Sequence, residues 1–549
     1  MTFTIITVIL LLWGSFAFWY YYPSTLEAEY ELPGLIVNGE VYEQEHYKVI
    51  GDSLFLRYDT ANQILGSTLF YEPETARVIL TTSNEIIEMR TDQLTAYVNY
   101  EPVDLDIPIH MEEDIPYVSV DYLGQIYEFT SERYENGVYD INNSSRSYLI
   151  VKALKDTYIR ELADFRSPRI TSVSEEELVS VYEEVSGWYK VRNSLGFLGY
   201  VDKDHFVLEK IVEAVPVKEE PFSPPWQPIG DKINLTWDYM SRPKTDMSAY
   251  ETIPGLNVIS PTWFHLLNGE GEIKSDASLE YVEWAHSEGL QVWALFDNGF
   301  DPDFTRGVLR DFDKRRKVIS YMLMQAKLLG IDGINIDFEN VYYEDKDYLT
   351  QFVREFAIML HEQDLTVSMD VTVLSTNPDW SMVFDRPNLS KAVDYMAVMT
   401  YDEHWASSPK AGSVGSIPWV RSSLDSIIEQ IPPEKILMGI PLYTRLWEEI
   451  PQDDGSVKVS SKAYSMNGIR NILSEQETVY SFDNEAGQNY AEYTENGNIY
   501  KVWLEDEVSL RERVRIMKEY SLAGIATWRK GFEDDRVWSI LTEEISKKP

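Results

Sequence analysis

Between residues 232 and 546 the chain carries eight short apolar runs, and this repetition constrains the fold more than any other feature. The runs are INLTWDYM (233–240), GLNVISPTWF (255–264), QVWALFDN (291–298), GINIDFE (333–339), TVSMDVTV (366–373), YMAVMTYD (395–402), ILMGIPLY (436–443) and GIATWRK (524–530). Strands this apolar need cover on both faces, as in a parallel sheet flanked by helices. Helical patterns fill several of the gaps, among them RRKVISYMLMQAKLLG (315–330) and YLTQFVREFAIMLHEQ (348–363). Eight such units in about 315 residues predict an α/β fold of the (β/α)8 TIM-barrel type. A doubly wound open sheet is the competing arrangement. Residues 444–523 separate the last two runs and hold strand-like pieces of their own, SVKVSSKAY and NIYKVWLE. An insertion between strands 7 and 8, lying over one side of the site, is therefore expected.

In such barrels the reactive groups gather at the C-terminal ends of the strands. The fourth run ends Asp332-Gly333-Ile334-Asn335-Ile336-Asp337-Phe338-Glu339. Side chains alternate along a strand, so Asn335, Asp337 and Glu339 share one face while Ile334, Ile336 and Phe338 point to the helix layer. An acidic face inside a barrel is expensive unless it is solvated, paired or used. Asp337 and Glu339 are thus the candidate catalytic carboxyls. Asp370, in SMDVTV, can also face the interior but is left outside the assignment.

DGINIDFE resembles the D-G-x-D-x-D-x-E signature of glycoside hydrolase family 18, the chitinase-like family. MTYD (399–402) resembles the family's strand-six motif, GIPLYTR (439–445) its strand-seven motif, and GIATWRKGFED (524–534) its strand-eight tryptophan. The resemblance covers residues 229–546. Asn335 stands where the family usually has Asp; the sporulation and cell-wall branch tolerates Asn there, which favours peptidoglycan over chitin. The resemblance implies hydrolysis of β-1,4 linkages in an N-acetylglucosamine-containing glycan by substrate-assisted retaining catalysis. Glu339 then protonates the glycosidic oxygen, and the substrate's N-acetyl oxygen attacks the anomeric carbon. Asp337 accepts the acetamide N–H, and Tyr401 binds the acetamide oxygen. Asp402 contacts the sugar or tunes Glu339, Trp528 forms an apolar floor, and Asn335, Tyr443 and Arg445 are counted with them as substrate-binding residues. No cofactor or metal is implied. Burial and the Asp337 charge are expected to raise the Glu339 pKa. The Asn335 amide is expected to donate to Asp337, and by replacing a carboxyl group to remove a coupled titration.

Upstream the texture is different. Residues 34–165 read as short strands, with RVILTT (77–82), LTAYVNY (94–100) and PYVSVDYL (116–123), and resemble the copper amine oxidase N-terminal-like domain without implying copper chemistry. GWYKVRNSLGFLGYVDKDHF (187–206), within residues 169–211, resembles a bacterial SH3-like domain. Trp188, Tyr189 and Tyr200 are expected to fill its small core rather than bind wall peptide. Five prolines between Pro216 and Pro228 mark residues 212–228 as a stiff linker. Residues 4–22 are uncharged and apolar with an aromatic end, which predicts an N-terminal transmembrane signal anchor. The expected placement is a single-pass cell-membrane protein with its catalytic part extracytoplasmic; secretion is the alternative. The net charge of −43 argues against nucleic acid as a partner. The absence of cysteine excludes a thiol nucleophile and a disulfide framework. The expected partners are cell-wall glycan or chitin oligosaccharide, and the membrane through the anchor. A non-hydrolytic lectin and a wall-tethering adaptor are the rival readings.

Overall fold

A computed structural model describes residues 23–547 apart from 67, 91–94, 105–108, 128, 144–146, 215–223, 227, 229–231 and 249. The expected anchor at 4–22 lies outside the described residues. Among the described residues no helix is long and apolar enough to cross a membrane. The chain divides into two compact units with a main boundary near residue 221.

In the first unit, two four-stranded sheets and a five-stranded sheet, with two short helices, enclose a core that includes Leu35, Leu54, Leu56, Val78, Leu80, Val118 and Ile141. PYVSVDYL is only half strand. Ile115–Ser119 is extended, and Val120–Ile126 is a helix because the Ser119 hydroxyl accepts from the Tyr122 N–H at 3.4 Å and caps it. A separate seven-stranded sheet follows. It begins with Tyr148–Ala153 and Thr157–Arg160, ahead of the expected start at 169. The earlier start has a packing reason: Tyr148–Ala153 pairs on both sides, with Leu178–Val185 and Phe206–Val212. The core of this sheet is Val151, Ile159, Val173, Val181, Val191 and Val201, with Tyr189 packed against it.

In the second unit the eight expected runs are eight parallel strands. They are β1 (Ile233–Asp238), β2 (Val258–Leu266), β3 (Gln291–Asp297), β4 (Gly333–Asp337), β5 (Thr366–Thr372), β6 (Tyr395–Met399), β7 (Ile436–Pro441) and β8 (Gly524–Trp528). Each pairs with the next, and β8 pairs back onto β1, with Ile233 opposite Gly524 and Thr236 opposite Thr527. The sheet is closed, so the open doubly wound alternative is excluded.

The outer layer holds α1 (Leu279–Ser287), α2 (Pro302–Leu309), α3 (Phe312–Leu329), α4 (Lys346–His361), α5 (Arg386–Ala392) and α6 (Ile417–Ile427). The α3 helix starts where Asp311 accepts from the N–H groups of Asp313 and Lys314, and stops at Gly330 with φ +70°. The insertion after β7 contains α7 (Met466–Glu475); α8 (Glu507–Glu519) and α9 (Val537–Ser546) complete the layer. That insertion is a five-stranded antiparallel sheet running from Tyr443 to Trp503, with a core of Leu446, Ile469, Leu473, Ala491, Val502 and Leu504.

The lower barrel interior is apolar and aromatic. Trp293 stacks on Tyr395 at 5.6 Å, and Leu235, Leu295, Ala397 and Leu437 lie in the same cluster. Gly333 admits this packing, since a Cβ there would sit 2.9 Å from the Trp293 ring and 2.5 Å from the Thr366 carbonyl oxygen. Trp226, from the expected linker, meets Trp293 edge-on at 6.1 Å, so the end of that segment belongs to the barrel.

One fully buried ion pair joins α3 to α4. Arg315 donates twice to Glu355, at 3.0 Å each, and once to the Leu309 carbonyl at 2.6 Å. Removing one partner strands the other charge away from water. Glu355→Ala is expected to cost about 3–5 kcal/mol in urea unfolding followed by tryptophan fluorescence. A loss below about 1 kcal/mol, the range of an exposed pair, would show that the pair is solvated.

Candidate active site

The polar residues of the fourth run rise through the upper barrel as alternation requires. Phe338 faces outward, packing on Phe296 at 5.2 Å and stacking on Phe352 of α4 at 5.5 Å. Asn335 is fully buried at the centre. Its Oδ1 accepts from the Trp237 indole N–H at 2.8 Å and lies 3.4 Å from the Ser260 hydroxyl. Its Nδ2 donates to Asp370 Oδ1 at 2.8 Å and to Ser368 Oγ at 3.1 Å. The expected Asn335-to-Asp337 hydrogen bond is thus replaced by one to Asp370, because the neighbouring strand presents acceptors at the same level. Asp370 belongs to the site after all.

Asp337 is buried, and its Oδ1 has no hydrogen-bond partner. Burial first, and then the Glu339, Asp370 and Asp297 carboxyls, raise its pKa well above the ordinary carboxylate value. Glu339, just beyond β4, is pushed up to about 7 by burial and by Asp402 and Asp297. The raised value was expected; the charges responsible are Asp402 and Asp297 where Asp337 was anticipated. Tyr401 is raised well above 10 by burial and by Asp370, so its hydroxyl remains a donor.

Local packing fixes the remaining candidates. Gly439 on β7 leaves room for Tyr401, since a Cβ there would sit 2.9 Å from the ring. Tyr443 donates to Asp402 Oδ1 at 2.7 Å, and its ring meets that of Tyr401 edge-on at 6.3 Å. Asp402 adopts a left-handed φ of +60°. Tyr443 and Arg445 sit two apart on the first insertion strand, and Arg445 Nε is buried without a hydrogen-bond partner. Trp528, at the end of β8, is half-buried, with its ring 5.7 Å from that of Trp237.

Sequence reasoning missed two residues of β3 and its end. Asn298 is fully buried and clamps the backbone of Glu339: its Nδ2 donates to the Glu339 carbonyl at 2.7 Å, and its Oδ1 accepts the Glu339 N–H at 3.2 Å. Asp297 is held by His265 Nδ1 at 2.6 Å and by the Gly299 N–H at 2.8 Å. The signal for both was an Asp-Asn pair closing an otherwise apolar run.

Residues 272–533 match the model of the glycosyl hydrolases family 18. The match takes in β3 to β8 and the insertion, so most of the barrel resembles a family 18 glycosyl hydrolase domain. Upstream, residues 36–136 match the copper amine oxidase N-terminal domain and residues 155–206 the bacterial SH3 domain. The chain is 28% identical over 283 residues to the uncharacterized glycosylase YvbX of Bacillus subtilis, covering 49% of this chain and 80% of YvbX. It is 29% identical over 265 residues to the cortical fragment-lytic enzyme of Bacillus anthracis, covering 47% of this chain and 60% of that enzyme. The crystal structure of the Bacillus cereus spore cortex-lytic enzyme SleL aligns with a TM-score of 0.51 and 25% identity, over 57% of this chain and 74% of that one.

Two measurements test this hydrolase site. A carboxyl with a pKa of about 7 can give up its proton to a substrate only while protonated, so a reaction that uses Glu339 in this way is expected to lose kcat/KM as pH rises through about 7. Asp402→Asn removes a charge that raises Glu339 and should move that alkaline limb to lower pH; an unmoved limb would separate Asp402 from the acid. Asn298→Ala frees the Glu339 backbone. Because a misplacement of about 1 Å can cost about 10²-fold, kcat should drop at least about tenfold with KM little changed. A rise in KM alone would place Asn298 in substrate binding.

Proposed function

We propose that this protein hydrolyses β-1,4 linkages of an N-acetylglucosamine-containing wall glycan by substrate-assisted, retaining catalysis. One observation carries the reading. A carboxylic acid with a pKa of about 7, Glu339, stands two residues from a buried carboxyl, Asp337, that lacks a hydrogen-bond partner on one oxygen. Glu339 is protonated below that pKa and can deliver its proton to the glycosidic oxygen. An acetamide N–H entering the site supplies the donor that Asp337 lacks and favours its anionic form. The acetamide oxygen, oriented by the Tyr401 hydroxyl, attacks the anomeric carbon, and anionic Asp337 faces the oxazolinium cation that results. Water then attacks that intermediate, with Glu339 now acting as base. This family is an exception to the usual pair of carboxylates in which one is nucleophile or base.

Trp528 supplies an apolar floor to the reacting sugar; Tyr443, Arg445 and Asp402 contact the sugar from the insertion side. Two considerations favour peptidoglycan over chitin: Asn335, and the names of the cortex-lytic relatives. A wall substrate also agrees with the extracytoplasmic placement expected from residues 4–22.

Glu339→Gln keeps the size of the side chain but carries no transferable proton. Turnover of purified wall glycan is expected to fall about 10²–10⁴-fold with binding retained. Fully deacetylated glycan, which lacks the internal nucleophile, should be cut very poorly. Binding without turnover by the unmodified protein would favour the lectin reading, and equal cleavage of acetylated and deacetylated glycan would exclude the substrate-assisted mechanism.

A further inference from the structure

Asn335 removes one carboxyl group from β4, and β5 brings another to the same place. The two strands run parallel, with Asn335 opposite Ser368 and Ile336 opposite Met369. The next step along each reaches Asp337 and Asp370, on the interior face. Both are buried. One Asp370 oxygen accepts from Asn335 Nδ2 at 2.8 Å, while Asp337 Oδ1 has no partner. The groups that face the pair are Glu339 beyond β4, Asp297 on β3 and Tyr401 beyond β6, with Asp402 and Tyr443 behind them. From β1 and β2 come the neutral Trp237 and Ser260; both reach Asn335, and the Trp237 indole also donates towards Asp370. Arg445 acts on Tyr443 rather than on the pair. None of the groups named as facing the two carboxyls is a cation, and buried like charges oppose each other's ionisation.

We propose that Asp370 is the proton-sharing partner of Asp337, supplying from the fifth strand the carboxyl group that Asn335 removes from the fourth. The inference rests on the hydrolytic reading above. The pair holds one proton and one negative charge throughout the reaction. When the acetamide N–H donates to Asp337, the proton resides on Asp370, and Asp337 is the anion that faces the oxazolinium. When product leaves, the proton redistributes within the pair and none is exchanged with solvent. Asp370 acts through Asp337 and is therefore a positioning residue, and Asn335 orients it.

The test is a carboxyl swap. Asp370→Asn keeps an amide within reach of Asn335 but removes the shared proton. It is expected to lower kcat at least about tenfold, to leave KM within about twofold, and to change the acidic limb of the pH profile. The double variant Asn335→Asp/Asp370→Asn returns the carboxyl to β4 beside an amide on β5, preserving an acceptor for Trp237. It should recover most of the lost kcat and the wild-type acidic limb. Melting temperatures of both variants check that the fold is intact. An Asp370→Asn enzyme with wild-type kcat and pH profile would overturn the proposal. So would a folded double variant no more active than the single one.

Should the wild-type protein cut no glycan, the hydrolytic reading fails, and the pair is judged separately by carboxyl carbon NMR. Coupled titration of Asp337 and Asp370 in the wild type, reduced to one simple step in Asp370→Asn, supports the pair. Independent titrations overturn it.

Discussion

Three carboxyl groups, Asp337, Glu339 and Asp370, meet inside a closed barrel, and no cation appears among the groups that set their protonation. The rest of the site answers that constraint. Charges taken out of water must be paired, hydrogen-bonded or neutralised. Here the available donors are neutral: the Asn335 amide and the Trp237 indole. They stabilise a carboxylate without cancelling its charge, so part of the burden falls on protons. Glu339, with a pKa of about 7, is thereby kept as an acid near neutral pH.

Holding these groups in place depends on parts that carry no charge. Gly333 lets β4 pass close to Trp293, and Gly439 lets β7 pass close to the Tyr401 ring. Asn298 ties the Glu339 backbone to the end of β3. Phe338 anchors the other face of the same segment against α4. The Glu339 segment is thus fixed from both sides of its chain. The insertion adds a further wall: its first strand carries Tyr443 to Asp402, and Asp402 in turn raises Glu339.

Much of this was legible beforehand. All eight strands lie where the apolar runs placed them, because strands covered on both faces read as continuous hydrophobic sequence. The helices at 312–329 and 346–361 agree with the expected stretches at 315–330 and 348–363. Strand periodicity correctly separated the Asn335 face from the Phe338 face. The misreadings were local or long-range. PYVSVDYL hides a helix because Ser119 caps it, and the small seven-stranded sheet begins early because Tyr148–Ala153 pairs with strands well beyond it in sequence.

Alternation along one strand is a property of covalent geometry, so the chain itself declared that Asn335, Asp337 and Glu339 share a face. The repeat of eight apolar runs likewise declared a barrel-sized parallel sheet. Which acceptor the Asn335 amide meets is a different kind of fact. It depends on the register between β4 and β5, 33 residues apart at Asn335 and Ser368, and that register exists only once the sheet has closed. The partnership of Asn335 with Asp370, the clamp of Asn298 on Glu339, and the burial that raises the acid all arise between segments distant in sequence. Tertiary structure decided them, because hydrogen bonding and desolvation act through space and leave no periodic trace along the chain.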